Sequence, residues 1–159
     1  MIEGEEEPAC PVPQYDWGSE KLQTKWNNTL EYCDLIVKAS EQKGLDPMLL
    51  ATLIFWESGG DPLAFSIDGA VGLMQVMPRD GPAASFLCIN GPCFADRPTM
   101  EELIDPEINI ESGSKILSDL LVITGSIREA LFSYGPEGVG YEGYADKILE
   151  LFETIKNQK

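Results

Sequence analysis

The first part of the chain has apolar residues at helical spacing. Trp26, Leu30, Cys33 and Val37 follow one another at intervals of three or four residues, so they share one face of a helix. Gly44 comes next, and glycine is the residue type that most often ends a helix. The pattern predicts a first helix that passes through all four apolar positions and ends near Gly44.

The most apolar run of the chain, MLLATLIFW, occupies residues 48–56. Asp46 is a good N-cap residue and Pro47 suits the first helical position, so a second helix should begin here. It should end near Trp56 or Glu57, before a pair of glycines. Because this helix is apolar nearly all round, it is predicted to be central and buried.

Stretches rich in glycine and proline separate the remaining helical patterns. Residues 61–81 lack helical periodicity and predict a loop with a short hairpin, and residues 82–98 predict a loop insertion. Three further helices with apolar faces and end signals are predicted at 105–124, 127–134 and 141–156. The expected fold is mostly α within the α+β class, a helical bundle around the central buried helix with a small β or irregular segment.

Charge and composition narrow the classes of function. The 159 residues are 43% hydrophobic and have a net charge of -16. The acidity argues against nucleic-acid binding and against docking on anionic lipid, since both need a basic face. The chain has no histidine, which removes the commonest general base and most zinc sites. Carboxylates are the leading acid–base candidates, and neither a metal nor an organic cofactor is indicated.

The start of the chain is especially acidic. Residues 1–20 contain six acidic residues and three prolines but no lysine or arginine. Like charges and prolines resist packing, so this segment predicts an acidic, flexible leader. Residues 21–159 predict a single domain, expected to be monomeric. The opening MIEGEEE lacks the features of a signal peptide, and no apolar run is long enough for membrane insertion, so any targeting segment is expected outside this chain.

Four cysteines, Cys10, Cys33, Cys88 and Cys93, allow three pairings. A turn-forming Asn-Gly-Pro between the last two favours Cys88–Cys93, which leaves Cys10–Cys33 to tie the leader to the first helix. The even count and this placement indicate an oxidising compartment, hence a secreted, periplasmic or cell-wall-associated protein. Four free thiols in a cytosolic protein remain the alternative.

Glu57 is the candidate for chemistry because it closes the apolar helix. A helix C-terminus presents partial negative charge, which disfavours a carboxylate. Phe55 and Trp56 favour the neutral acid by desolvation, and the glycines that follow allow close approach of backbone or ligand. These effects raise the pKa and suit Glu57 to act as a protonated general acid. The alternative is a solvent-facing glutamate at a frayed helix end.

The segments around Glu57 match a known pattern. Glu57-Ser58 is followed by SIDGAVGLMQVMP at 66–78, by DPEINIESGSKIL at 105–117 and by ALFSY at 130–134. Over roughly residues 45–152 the chain resembles the lytic transglycosylase family of the goose-type lysozyme superfamily. It departs from the family at Gly135, where the family has asparagine after the tyrosine.

The resemblance implies a lysozyme-like catalytic domain whose β or irregular segment flanks a glycan groove. Glu57 would be the single catalytic acid and base. Tyr134 would hydrogen-bond to Glu57 and orient it, and Tyr144 would also face the site. Further substrate contacts are implied for Ser66, for Met74 packing on a sugar, and for Gln75 as a hydrogen-bonding residue.

Each of these assignments has a structural alternative. Met74 could belong to the core, Tyr134 could be a core tyrosine with a satisfied hydroxyl, and Tyr144 could be a surface residue of the last helix. Asp68 is a candidate second carboxylate, although a role in a turn fits it equally well.

The resemblance also implies a reaction. The substrate would be the β-1,4 bond between N-acetylmuramic acid and N-acetylglucosamine in peptidoglycan. The muramoyl 6-hydroxyl would displace the leaving sugar and form a 1,6-anhydro product. The alternatives are hydrolysis of chitin or peptidoglycan, as by a chitinase or goose-type lysozyme, and a non-catalytic glycan-binding module. Chitin is considered because it is uncharged, whereas cell walls often contain anionic polymers that repel an acidic protein.

Overall fold

The computed structural model describes residues 10–135 and 143–158. This part of the chain is mostly helical with a small two-stranded sheet, which confirms the predicted fold class. The elements are α1 (Glu20–Leu30), α2 (Cys33–Lys43), α3 (Pro47–Ser58), a 3-10 helix (Gly81–Ser85), β1 (Leu87–Cys88), β2 (Gly91–Pro92), α4 (Met100–Leu103), α5 (Pro106–Thr124), α6 (Ile127–Tyr134) and α7 (Tyr144–Lys156).

Helix α3 is the centre of the fold, as its composition predicts. Every residue from Leu49 to Phe55 is buried, and the helix packs against α1, α2 and α7. Asp46 caps it by accepting a hydrogen bond from the Met48 amide at 2.8 Å, and Pro47 occupies its first turn. Each fully buried leucine or isoleucine of this helix stabilises the fold by about 1.5–3 kcal/mol.

The predicted first helix is wrong in one respect, since it is two helices. The chain tightens after α1, where the Tyr32 amide donates to the Thr29 carbonyl, and α2 begins at Cys33. Trp26 and Ile36 on either side of the break are both fully buried. The apolar spacing continues through the break because both helices face the same core, so periodicity alone could not reveal it.

The predicted flexible leader is also different in its described part. Residues 10–19, which we call the strap, lie against the helices. Val12 is buried, the Trp26 indole donates to the Pro13 carbonyl at 3.1 Å, and Trp17 stacks on Phe55 with ring centroids 4.3 Å apart. The burial of aromatic surface holds the strap in place, and Asp16 is the single acidic residue within it. Residues 1–9 lie outside the described residues.

The structure contains two disulfides. Cys10–Cys33 joins the strap to the start of α2, and Cys88–Cys93 closes the β1–β2 hairpin. The hairpin lies within the predicted insertion 82–98. Sequence reasoning missed α4, whose capping box is formed by Thr99 and Glu102.

The loop at 61–78 precedes the hairpin and has little regular structure. Single bridges join Val71 to Phe65 and to Val76, which matches the predicted loop with a short hairpin. This loop packs over α5 through Asn109, whose side chain is fully buried.

The remaining helices begin and end close to their predicted positions. Asp105 caps α5, Gly125 ends it in a left-handed conformation, and Ser126 caps α6 by accepting from the Glu129 amide at 3.2 Å. Helix α5 packs on α2 and α6, and α6 packs on α7. The first residues of the predicted 141–156 helix lie outside the described residues. In the described ranges, none of the helices has the length and apolarity that crossing a bilayer requires.

Candidate active site

Glu57 lies in the last turn of α3, half-buried, with its carboxyl group facing α7. The Tyr144 hydroxyl donates a hydrogen bond to Glu57 Oε1 at 2.8 Å. Burial raises the pKa of Glu57 to about 7, while the hydrogen bond from Tyr144 acts in the opposite direction because it favours the carboxylate. The side chain can therefore both hold and release a proton near neutral pH.

Ser58 fixes the end of α3 on which Glu57 depends. Its Oγ donates to the Leu73 carbonyl at 2.8 Å and accepts from the Gly60 amide at 3.2 Å. Gly60 has φ of 77°, and a Cβ there would lie 2.5 Å from the Thr29 amide nitrogen of α1. The helix end is thus held between the loop and α1, so the Glu57 backbone has little freedom to move.

Tyr144 is buried at the first position of α7, with 3% of its surface exposed. A Cβ on Gly135 would lie 2.5 Å from the Tyr144 ring, so the glycine makes room for this ring. The departure from the asparagine of the resembled family therefore has a structural role here. Burial and the neighbouring Glu57 raise the pKa of Tyr144, so its hydroxyl stays protonated and remains a donor.

Tyr134 requires a correction. Its hydroxyl donates to the Met74 carbonyl at 2.7 Å, and the hydrogen bond expected with Glu57 is made by Tyr144 instead. Tyr134 is nevertheless close enough to Glu57 for the carboxylate charge to raise its pKa, in addition to the larger effect of burial. The difference arises from tertiary packing. Helix α6 points Tyr134 towards the loop, whereas α7 points Tyr144 towards Glu57.

Met74 also requires a correction, because it is fully buried and cannot pack on a sugar. Its backbone amide donates to Asn109 Oδ1 at 2.8 Å. A Cβ on Gly113 of α5 would lie 2.5 Å from the Met74 sulfur, so this side chain fills a space against the helix. The core alternative for Met74 is the one that the structure supports.

Gln75 uses its amide nitrogen within the loop. The Nε2 group donates to the carbonyls of Ala64 and Gly72, each at 3.0 Å, and the residue has a positive φ of 50°. Both N–H donors expected for a sugar are therefore bonded to the loop backbone. The carbonyl oxygen of the side chain has no hydrogen-bond donor in the described part of the chain, and Gln75 is half-buried.

Ser66 and Asp68 belong to the turn at 66–70. Ser66 Oγ accepts from the Ala70 amide at 2.9 Å, and the Gly69 amide donates to the Ser66 carbonyl. Asp68 is exposed at the tip. Among the described residues neither side chain hydrogen-bonds to Glu57, so the turn role holds for both in this structure.

Arg97 is a residue of this region that sequence reasoning missed. It follows the hairpin, is half-buried, and donates from Nη1 to the Met77 carbonyl at 3.3 Å. Its charge acts on Tyr134, whose pKa it lowers against the effects of burial and Glu57. An arginine within a predicted loop insertion gives no sequence signal that it returns to the site.

Within residues 10–135 and 143–158, no three cysteine, aspartate or glutamate side chains form a group that could hold a metal ion, and the chain has no histidine.

Comparison with the sequences of known proteins gives three findings. The family profile described as "Transglycosylase SLT domain" matches residues 34–140. The chain is 32% identical over 129 residues to membrane-bound lytic murein transglycosylase C of Edwardsiella ictaluri, which covers 80% of this chain and 35% of that protein. It is 35% identical over 94 residues to membrane-bound lytic murein transglycosylase E of Buchnera aphidicola subsp. Acyrthosiphon pisum, which covers 58% of this chain and 41% of that protein.

A solved structure agrees in fold. The X-ray structure of an inactive mutant of lytic transglycosylase Slt from Pseudomonas aeruginosa superposes with a TM-score of 0.62 at 18% identity, covering 89% of this chain and 26% of that chain. The chain spans 35% to 43% of the length of the curated relatives that it matches.

Proposed function

Because the chain belongs to the transglycosylase SLT domain family, we propose that it cleaves peptidoglycan strands between N-acetylmuramic acid and N-acetylglucosamine. The names of its relatives as lytic murein transglycosylases support this substrate. The observation on which the proposal depends is the state of Glu57. A half-buried carboxyl group with a pKa of about 7 and one tyrosine partner is suited to donate a proton and take it back.

The reaction proceeds in two balanced steps. Glu57 gives its proton to the glycosidic oxygen as the bond between that oxygen and the muramoyl C1 breaks. The C6 hydroxyl of the same muramoyl unit then attacks C1, and its proton passes to the Glu57 carboxylate. The acid is regenerated, and the product ends in a 1,6-anhydro ring without addition of water.

The surroundings of Glu57 favour this route over hydrolysis. Apart from substrate-assisted enzymes, most glycosidases that use water or a covalent intermediate need a second carboxylate roughly 5–9.5 Å from the first. Burial raises the pKa of Glu57, and among the described residues Tyr144 is the side chain that hydrogen-bonds to it. Asp68, the candidate from the sequence, is exposed in the turn instead.

We extend the proposal to the bounds of the catalytic domain and to the compartment in which it acts. The strap packs on the core, so the catalytic unit includes residues 10–20 together with the predicted domain 21–159. Two disulfides and relatives named as membrane-bound murein enzymes support action in a periplasmic or extracellular compartment. We propose that the unit acts as a monomer.

Product analysis tests the proposal. Purified peptidoglycan is digested, and the soluble products are analysed by mass spectrometry before and after borohydride reduction. Anhydro ends are lighter than hydrolysed ends by one water and resist reduction. The expected result is muropeptides with anhydro ends, and Glu57→Gln should lower the rate by about a thousandfold because general acids contribute 10²–10⁴-fold.

Chitin hexamer is digested in parallel as the comparison substrate for peptidoglycan. Reducing ends from peptidoglycan, or faster turnover of chitin with addition of water, would replace the proposal with hydrolysis. Tight binding of oligosaccharide with no turnover between pH 4 and 8 would support a non-catalytic module. Circular dichroism of Glu57→Gln shows whether its loss of activity occurs in a folded protein.

A further inference from the structure

The guanidinium of Arg97 has few partners in the part of the chain that the structure describes. Its Cζ lies 5.1 Å from the centroid of the Phe94 ring, and Nη1 donates to the Met77 carbonyl. An arginine side chain has five N–H donors, so most of the Arg97 guanidinium N–H groups have no acceptor among the described residues. The two other arginines differ, since Arg79 and Arg128 each form a salt bridge with a carboxylate.

Within residues 10–135 and 143–158, Arg97 forms no salt bridge with a carboxylate, which is unusual in so acidic a chain. There are 27 acidic residues and 11 lysines and arginines, so acidic partners are abundant. Burial disfavours the charged form of Arg97 and lowers its pKa. A half-buried cation without a counter-ion costs free energy that an anionic ligand would recover.

Arg97 is also placed next to the acid–base centre. It bonds to the carbonyl of Met77, and Tyr134 bonds to the carbonyl of Met74, three residues earlier on the same segment. Consecutive Cα atoms are 3.8 Å apart, so the two anchoring residues are separated by at most about 11 Å. The charges of Arg97 and Glu57 both act on Tyr134, so both groups lie near this tyrosine.

We propose that Arg97 binds a carboxylate of the glycan strand next to the cleaved bond, an inference that rests on the proposed function. Muramic acid differs from N-acetylglucosamine by a lactyl group that ends in a carboxylate or in the peptide attached to it. A planar guanidinium with free donors matches a carboxylate in a bidentate pair. Arg97 thereby selects peptidoglycan over chitin within a protein whose overall charge repels anions.

Binding measurements without turnover test this inference. Glu57→Gln protein is titrated calorimetrically with three oligosaccharides of equal sugar number. One is a peptide-free glycan with lactyl carboxylates, one is a glycan with stem peptides, and one is a chito-oligosaccharide. Adding Arg97→Gln should weaken binding of the carboxylate ligands about 10- to 100-fold and leave the chito-oligosaccharide unchanged. If the peptide-free glycan loses more affinity, the lactyl carboxylate is the partner of Arg97. If the glycan with stem peptides loses more affinity, a peptide carboxylate is the partner.

Two further variants separate binding from structure. Lys115→Gln removes the same charge from an exposed α5 residue paired with Asp119, and it should change none of the three affinities. Arg97→Lys keeps the positive charge but lacks the planar guanidinium, so it should retain part of the affinity that Arg97→Gln loses. Retained binding of the chito-oligosaccharide shows that the groove of each variant is intact.

The contrary outcomes are distinct from failure of the proposed function. Equal weakening of all three ligands by Arg97→Gln would show that Arg97 only anchors the hairpin. Equal affinity for all three ligands with Arg97 present would also overturn the inference, even if the unmodified protein produces anhydro ends. A carboxylate preference that depends on Arg97 would support it even if no turnover occurs.

Discussion

The two sides of the site use their polar groups differently. The helical side consists of the end of α3 and the start of α7, and it presents Glu57 with one hydrogen bond from Tyr144. The loop side consists of residues 61–78 and the segment through Arg97. Its backbone carbonyls accept hydrogen bonds from polar side chains: Met74 from Tyr134 of α6, which we count with this side, and Ala64 and Gly72 from Gln75.

The helical side is suited to proton transfer, whereas the loop side has mainly a structural role. On the loop side, hydrogen bonds from Asn109, Tyr134 and Gln75 to the loop backbone hold the segment in one conformation. On the helical side, Glu57 is desolvated and has a single partner, so its protonation state can change. Substitutions on the loop side should therefore alter stability or binding, whereas those on the helical side should alter the pH dependence.

Asn109→Ala gives the largest expected effect and acts on the loop side. The buried amide donates to the carbonyls of Val71 at 2.8 Å and Leu103 at 3.0 Å, and its oxygen accepts from the Met74 amide. Removing it leaves the buried Met74 amide and Leu103 carbonyl without these partners, while the Val71 carbonyl keeps its bond from the Val76 amide. The free energy of unfolding should therefore fall by about 3 kcal/mol. Urea unfolding measures this loss.

The matched control is Asn27→Ala, which removes an exposed asparagine of α1 and should change the stability by less than about 0.5 kcal/mol. Equal losses in the two variants would contradict the role of Asn109. At temperatures where Asn109→Ala remains folded, the pH dependence of its activity should match that of the unmodified protein.

Glu57→Gln tests the helical side through stability. The folded-state pKa is raised from 4.5 to about 7, so below pH 4.5 both states are protonated and the stability is fully present. Between pH 4.5 and 7 the unfolded chain ionises while the folded protein does not, so the free energy of unfolding falls. The shift corresponds to about 3 kcal/mol as an upper figure, because Glu57 is only half-buried.

The comparison is between unfolding curves of the two proteins at several pH values. Glu57→Gln lacks the group that titrates, so its advantage over the unmodified protein should grow from pH 4.5 to pH 7 and then level off. Parallel stability curves for the two proteins would show that Glu57 ionises normally in the folded state.

Local signals made much of this architecture predictable. Asp46, Pro47 and Gly44 mark helix ends by their own backbone chemistry, and α3 is buried because it lacks a polar face. The strap could not be predicted in the same way. Its order depends on Trp17 stacking on Phe55, a contact between residues distant in sequence, whereas the acidity of residues 1–20 as a whole is visible locally.

The site shows the same division. Glu57 could be found from its place at the end of an apolar helix. The tyrosine that contacts it could not, because the directions of Tyr134 and Tyr144 depend on how α6 and α7 pack. A sequence motif also does not specify which way a side chain points. Met74 is predicted to contact a sugar, but it is buried against α5. Arg97 gave no signal at all.

A matched pair of tyrosine substitutions gives the smallest and most specific effect. Tyr144→Phe removes the hydrogen bond that lowers the pKa of Glu57, so that pKa should rise above 7. The alkaline limb of the pH profile of kcat/KM should then move to higher pH. Activity at the optimum should fall by about tenfold, which equals 1.4 kcal/mol, because the carboxyl group loses its orienting partner.

Tyr134→Phe removes an identical hydroxyl from the loop side. Because that hydroxyl is bonded to the Met74 carbonyl, its loss should reduce stability by about 1 kcal/mol and leave the alkaline limb in place. Kinetics of peptidoglycan solubilisation from pH 5 to 9 would compare the two variants. Equal displacement of the limb in both would mean that the two tyrosines act on Glu57 alike, and the separation of a helical side from a loop side would fail.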